Sequence, residues 1–140
     1  MPFLDYKDKC SFILCRTSNP SAGDFQDLKV SSIPIYQIVA QKIHEWNTNN
    51  NCGAVVGATY SEELKIVRTI LGEDIPILIP GIGKQGGDIE KTVRNGTNSK
   101  KDMALINSSR EILFASEHQD FAEQSRKKAE SVRNEINKYR

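Results

Sequence analysis

Short apolar runs alternate with stretches of helical period along this chain, and the alternation occurs four times. The first run is Ser11 to Cys15. A polar loop, Arg16-Thr17-Ser18-Asn19-Pro20-Ser21-Ala22-Gly23-Asp24, then leads through a longer connection to Pro34, which suits a first helical turn. Ile35, Val39 and Ile43 follow at four-residue spacing with Trp46 beyond, which predicts a helix with one apolar face. The second run, Gly53 to Ala58, precedes Thr59-Tyr60-Ser61-Glu62, read as a capping box, and a helix ending near Gly72 with Leu64, Val67 and Leu71 as its buried stripe. The third run is Ile75 to Ile79. After a glycine-rich loop, Asp88 is the expected cap and Gly96 the expected stop of a short helix. The fourth run is Met103 to Ile106. A closing helix begins between Ser116 and Gln119 and sets Phe121, Ala129, Val132, Ile136 and Tyr139 on one face.

Strands that read as continuous apolar runs and are separated by helices predict an α/β fold. Its sheet should be parallel, covered on both faces, and linked by right-handed crossovers. With 140 residues and 38% apolar content, the chain has enough for one domain, residues 1–140, and too little for two. Nineteen basic and 18 acidic residues leave a net charge of +1, which removes the electrostatic case for nucleic acid or an anionic membrane as the main partner. No segment approaches the length of a membrane span, so a cytoplasmic protein is expected. Cys10, Cys15 and Cys52 show no metal-binding spacing and are expected to be buried free thiols. His44 and His118 lack a partner at ligand spacing, and Glu62 and Glu63 suit a helix amino end better than acid–base work.

In a parallel βα sheet, ligands bind at the carboxyl ends of strands, and four polar clusters fall there: Ser18-Asn19, Thr59, the glycine loop, and Ser109-Arg110. The loop Pro80-Gly81-Ile82-Gly83-Lys84-Gln85-Gly86-Gly87-Asp88 places four glycines in seven positions, so its backbone can approach an anion closely while Gln85 offers an amide side chain. An ordinary strand-to-helix turn would use the same residues. Anion-binding features after the third and fourth strands suggest the second half of a TIM (β/α)8 barrel, whose phosphate site is frequently built from its last two loops.

Four strings occur in one order: Phe12-Ile13-Leu14-Cys15-Arg16-Thr17-Ser18-Asn19-Pro20, Val55-Val56-Gly57-Ala58-Thr59, Pro80 to Asp88, and Leu105-Ile106-Asn107-Ser108-Ser109-Arg110. Together they make the chain resemble the orotidine 5'-phosphate decarboxylases, and more narrowly the carboxyl-terminal half of their second bacterial type. The resemblance implies an eight-stranded barrel, a homodimer, no metal or organic cofactor, and conversion of orotidine monophosphate to uridine monophosphate. It further implies that Ser18, with Asn19 beside it, meets the amide edge of the pyrimidine and that Pro80 lies near the base. Gln85 and Arg110 would hold the phosphate, helped by the Ser109 backbone amide and by Gly83 and Gly86, with the glycine loop closing as a lid. Lys84 stands where the family usually has a small residue. The bland alternatives are a surface cation at Arg110 and a simple turn at Ser18-Asn19.

The Asp-x-Lys-x-x-Asp string on which the family's chemistry rests is absent. Asp5-Tyr6-Lys7 begins such a string, but Cys10 stands where its second aspartate belongs, and the segment precedes a strand instead of ending one. Asp5, Lys7 and Asp8 are therefore expected in a charged turn, and no catalytic residue is assigned. The chain should bind base and phosphate and depend on a missing amino-terminal half or a second copy. A nucleotide-binding module without chemistry and a sugar-phosphate barrel are the alternatives.

Overall fold

The computed structural model describes residues 2–83 and 87–140. Its main sheet has four parallel strands in sequential order: β1 (Ser11–Arg16), β4 (Cys52–Val56), β5 (Ile77–Pro80) and β6 (Ala104–Asn107). The crossovers carry α2 (Ile35–Trp46), α3 (Ser61–Leu71) and α4 (Ile89–Gly96), and α6 (Phe121–Asn137) closes the chain. Two short helices, α1 (Gly23–Gln26) and α5 (Arg110–Leu113), sit just beyond the carboxyl ends of β1 and β6. The long connection after β1 also contains a small antiparallel hairpin, β2 (Lys29–Val30) with β3 (Ile33–Pro34). Pro34 ends that hairpin and caps α2 from outside instead of lying in its first turn.

The helices cover one face of the sheet only, which corrects the expectation of two covered faces. Cys15, Ala54, Val56, Ile77 and Ile79 point into a core with Ala40, Ile43, Leu64, Val67 and Leu71 of the helices. The alternate strand positions point the other way: Phe12, Leu14 and Leu105 are exposed, and Val55 and Leu78 are half-buried. Strands in sequence order with all crossovers on one side curl toward a barrel, whereas a doubly wound sheet needs a reversal of strand order. Each fully buried aliphatic side chain of the core contributes about 1.5–3 kcal/mol over leaving it exposed.

Local signals hold at several ends and fail at others. Asp88 caps α4, its carboxylate accepting the Lys91 amide at 2.9 Å. Gly72 ends α3 at φ 75, a backbone region that favours glycine. Gly96 is buried in the last turn of α4, and a methyl there would collide with the Ile79 side chain, so close helix–sheet contact is what requires glycine. The expected capping box is absent: Tyr60 occupies the cap position of α3 with no side-chain hydrogen bond. On α6, Val132 is buried and Ala129, Ile136 and Tyr139 are half-buried, but Phe121, the first residue of the helix, is 59% exposed. Cys15 and Cys52 are buried, and burial pushes the Cys15 thiol up to about 12; Cys10, in the turn before β1, is exposed, contrary to expectation. The Asp5-to-Asp8 segment is turn and bend, as its charge pattern implies.

Candidate functional site at the carboxyl ends of the strands

The ends of β5 and β6 open onto a cleft of about 50 Å³, several times the space one water requires. Pro80, Gly81 and Ile82 form one wall, and Asn107 through Glu111 form the other. Parallel pairing of Pro80 with Asn107 puts the two loops side by side. The chain leaves β5 through Gly81 at φ 100 and Gly83 at φ 76, conformations that suit glycine alone. It returns at Gly87, whose amide donates to the Gly81 carbonyl at 3.2 Å, while Ile82 bridges to Gly87. The neck of the glycine loop is thus pinned shut by its own backbone.

Ser109 precedes α5 and Arg110 opens it, both exposed. Among the described residues, the Arg110 guanidinium makes no hydrogen bond or ion pair. The buried Ser108 hydroxyl in the same wall also lacks a partner there. Glu111 lies so close to Gly83 that a Cβ on the glycine would strike its carboxylate, and Lys128 of α6 neutralises that carboxylate through an ion pair. Pro80, Gly83, Ser109 and Arg110 are the residues here that the sequence marks as candidates; Ser108 and Glu111 are not among them. Their position beside Ser109-Arg110 was the one signal available. Lys84, Gln85 and Gly86, including the phosphate contacts and lid expected there, lie outside the described residues.

Ser18 and Asn19 do not line this cleft. They follow β1, two strands from β5, with Ser18 half-buried and Asn19 exposed. Gly57, at the end of β4, lets Ser18 in: a Cβ on Gly57 would stand 3.0 Å from the Ser18 Cβ. Neither the hydroxyl nor the amide of Ser18 donates a hydrogen bond among the described residues. The loop is nevertheless held firmly. Gln26 of α1 accepts the Thr17 amide at 2.9 Å and donates to the Thr17 hydroxyl at 3.0 Å, and that hydroxyl donates to Asn19 Oδ1 at 2.6 Å. Arg16, to which no role was given from sequence, is 2% exposed and donates to Gln26 at 3.1 Å and to Asp27 at 3.0 Å. Among the described residues, no cluster of three or more His, Cys, Asp or Glu is placed to hold a metal ion, and no helix is long and apolar enough to cross a membrane.

Four sequential βα units, with glycine-bearing and polar loops gathered at the strand carboxyl ends, define one half of a TIM barrel with a cleft at its top. The chain belongs to the orotidine 5'-phosphate decarboxylase / HUMPS family, whose model matches residues 4–125. It is 49% identical over 140 residues to an orotidine 5'-phosphate decarboxylase of Ralstonia nicotianae and 51% identical to one of Cupriavidus metallidurans. Each alignment covers 99% of this chain and 51% of the relative, so the chain spans about half the length of these curated relatives. Among solved structures, it is similar to the Leishmania donovani UMP synthase, with a TM-score of 0.89 and 37% identity over 99% of this chain and 30% of that one. The Leishmania donovani OMP decarboxylase superposes with a TM-score of 0.79 at 31% identity, over 97% of this chain and 51% of that one.

Proposed function

We propose that this chain is the base- and phosphate-holding half of an orotidine 5'-phosphate decarboxylase, acting in the cytoplasm on orotidine monophosphate to give uridine monophosphate and carbon dioxide. The observation that carries the reading is the cleft shared by Pro80–Ile82 and Asn107–Glu111, in which the Arg110 guanidinium has no protein partner among the described residues. A planar guanidinium grips two phosphate oxygens at once, and the Ser109 amide and the glycine backbone add donors around them. Gly83, and Gln85 and Gly86 by family resemblance, complete the phosphate set. Ser18, with Asn19 beside it, faces the pyrimidine from the loop after β1, and Pro80 lies between the two subsites. Two strand spacings, roughly 10 Å, separate β1 from β5, which is the scale of a mononucleotide.

The reaction breaks the bond between the pyrimidine ring and its carboxylate, leaves the electron pair on the ring carbon, and places a proton there. The residues that promote this step in the family, an Asp-x-Lys-x-x-Asp set, belong to the half not represented in this sequence. What this half contributes is binding energy remote from the reacting carbon, which lowers the barrier by orienting the substrate. The exposed face of Phe12, Leu14 and Leu105 and the sheet edges at β1 and β6 receive the other half, supplied by an amino-terminal partner or a second copy.

The test is to titrate uridine and uridine monophosphate into the chain, then to assay decarboxylation with and without the amino-terminal half of a relative. Preference for the monophosphate, with activity appearing only on addition of the missing half, is the expected result. Binding with no rescue by any relative's half leaves a nucleotide-binding module, and equal affinity for uridine and its monophosphate removes the phosphate site.

A further inference from the structure

We infer that Arg16 is a positioning residue for base recognition: its guanidinium, through Gln26 and Thr17, fixes the loop that presents Ser18. The inference rests on the proposed role of Ser18 at the pyrimidine and deepens it. Arg16 ends β1, where its carbonyl accepts the Gly57 amide at 2.8 Å, so the backbone beneath the loop is part of the sheet. Its side chain then touches two separate pieces of the upper rim. Nη2 meets Asp27 and Nη1 meets Gln26, both at the end of α1, and the guanidinium stacks on the Tyr60 ring 3.8 Å from its centre, at the start of α3. Gln26 Oε1 is shared between Arg16 and the Thr17 amide, so the position of the guanidinium sets the position of the loop backbone.

Two features argue against a purely stabilising role. Arg16 leaves its buried Nε without a partner among the described residues, whereas Arg68, the other buried arginine, uses Nε and both terminal nitrogens. Its ionic partner also stands at the rim and not in the core, since the Asp27 carboxylate is 51% exposed. What the arrangement does achieve is a fixed seat for Ser18, pressed against Gly57 from the other side, with its hydroxyl unspent. Only a planar fork can meet Gln26 and Asp27 at once with its centre over an aromatic ring, so lysine cannot substitute fully.

The experiment compares affinities for uridine monophosphate and ribose 5-phosphate by calorimetry, in the unaltered chain and in Arg16→Met, Arg16→Lys and Gln26→Met. The ratio of the two affinities isolates the contribution of the base. Arg16→Met and Gln26→Met should reduce this ratio at least about tenfold while ribose 5-phosphate binding stays within about twofold, and Arg16→Lys should restore part of it. Should Arg16→Met fail to fold, Gln26→Met carries the test, since it cuts the same relay and leaves the arginine in place. A lowered melting temperature with an unchanged ratio would make Arg16 merely structural and overturn the inference. Absence of any preference for uridine monophosphate in the unaltered chain is a different outcome: it removes the proposed base site itself, and the positioning role with it.

Discussion

Arg68 and Arg110, at opposite ends of the same four-stranded sheet, stand in opposite situations. At the amino-terminal end, Arg68 of α3 is 8% exposed and donates to the carbonyls of Gly96, Gly72, Ile75 and Met103, at 2.7 to 3.0 Å. It thereby ties the end of α4 to the segments entering β5 and β6. Burial pushes its pKa down, and Glu73 and Asp102 offset that shift. Close by, Glu73 accepts both the amide and the hydroxyl of Ser99, and the Asn98 side chain donates to the Glu73 carbonyl. At the carboxyl-terminal end, Arg110 is exposed and Ser18 and Ser108 keep unspent hydroxyls, all without partners among the described residues. A cation saturated by carbonyls holds the fold; a cation left unsaturated beside open donors is available to a ligand. The division agrees with the general rule for βα barrels, in which stability residues gather at the bottom and binding residues at the top.

The largest effect that would sharpen this contrast is Arg68→Met. Stranding several buried carbonyls should cost about 3 kcal/mol or more, a fall of about 10 °C in melting temperature, with nucleotide affinity of the folded protein nearly unchanged. A parallel loss of affinity in the folded fraction would break the contrast. Arg110→Ala should do the reverse. Stability should move by no more than about 0.5 kcal/mol, while uridine monophosphate binding weakens by about 1.5–3 kcal/mol and uridine binding is unaffected. Calorimetric titration of both ligands decides it, and a stability loss as large as that of Arg68→Met would place Arg110 in the fold instead of the site.

The smallest effect concerns pH at the amino-terminal end. The Ser99 hydroxyl and then its amide hold the Glu73 carboxyl below the usual carboxylate range. A depressed folded-state pKa adds stability that is present above the unfolded-state value and is lost as pH falls through the folded one. Glu73→Gln should therefore lower the urea midpoint at neutral pH by a small margin that closes in acid. A margin that persists in strong acid would show that charge plays no part in the Ser99 contact.

Much of this architecture was legible in the sequence because each βα unit repeats the same two periods. Ile13, Cys15, Ala54, Val56, Ile77 and Ile79 all face the helices as their runs imply. The one-sided cover was not legible, because a strand facing a barrel interior and a strand facing a second helix layer are both apolar on both sides. The hairpin after β1 escaped notice for a different reason. Its turn is Ser31-Ser32, with φ 50 and 72, and serine gives none of the asparagine–glycine signal that usually marks two positive-φ positions. Arg16 and Arg68 escaped because a charged residue next to polar loop or helix positions reads as solvent-facing; only the folded chain shows their stems buried and their heads aimed at carbonyls or side-chain oxygens. Of the residues lining the cleft, the order of the motifs singles out Pro80, Ser109 and Arg110, whereas Ser108 and Glu111 depend on how the chain turns after β6.

Gly96 links the two ends in a way that its place at the bottom conceals. By omitting a methyl it allows α4 to settle onto Ile79, and the opposite tip of that helix, roughly 12 Å away, is Asp88, where the chain emerges from the glycine-rich neck. A stiff rod seated at its base sets the height of whatever is mounted on its tip. The height at which the glycine wall of the cleft stands is therefore decided in part by one hydrogen atom at the far end of the sheet.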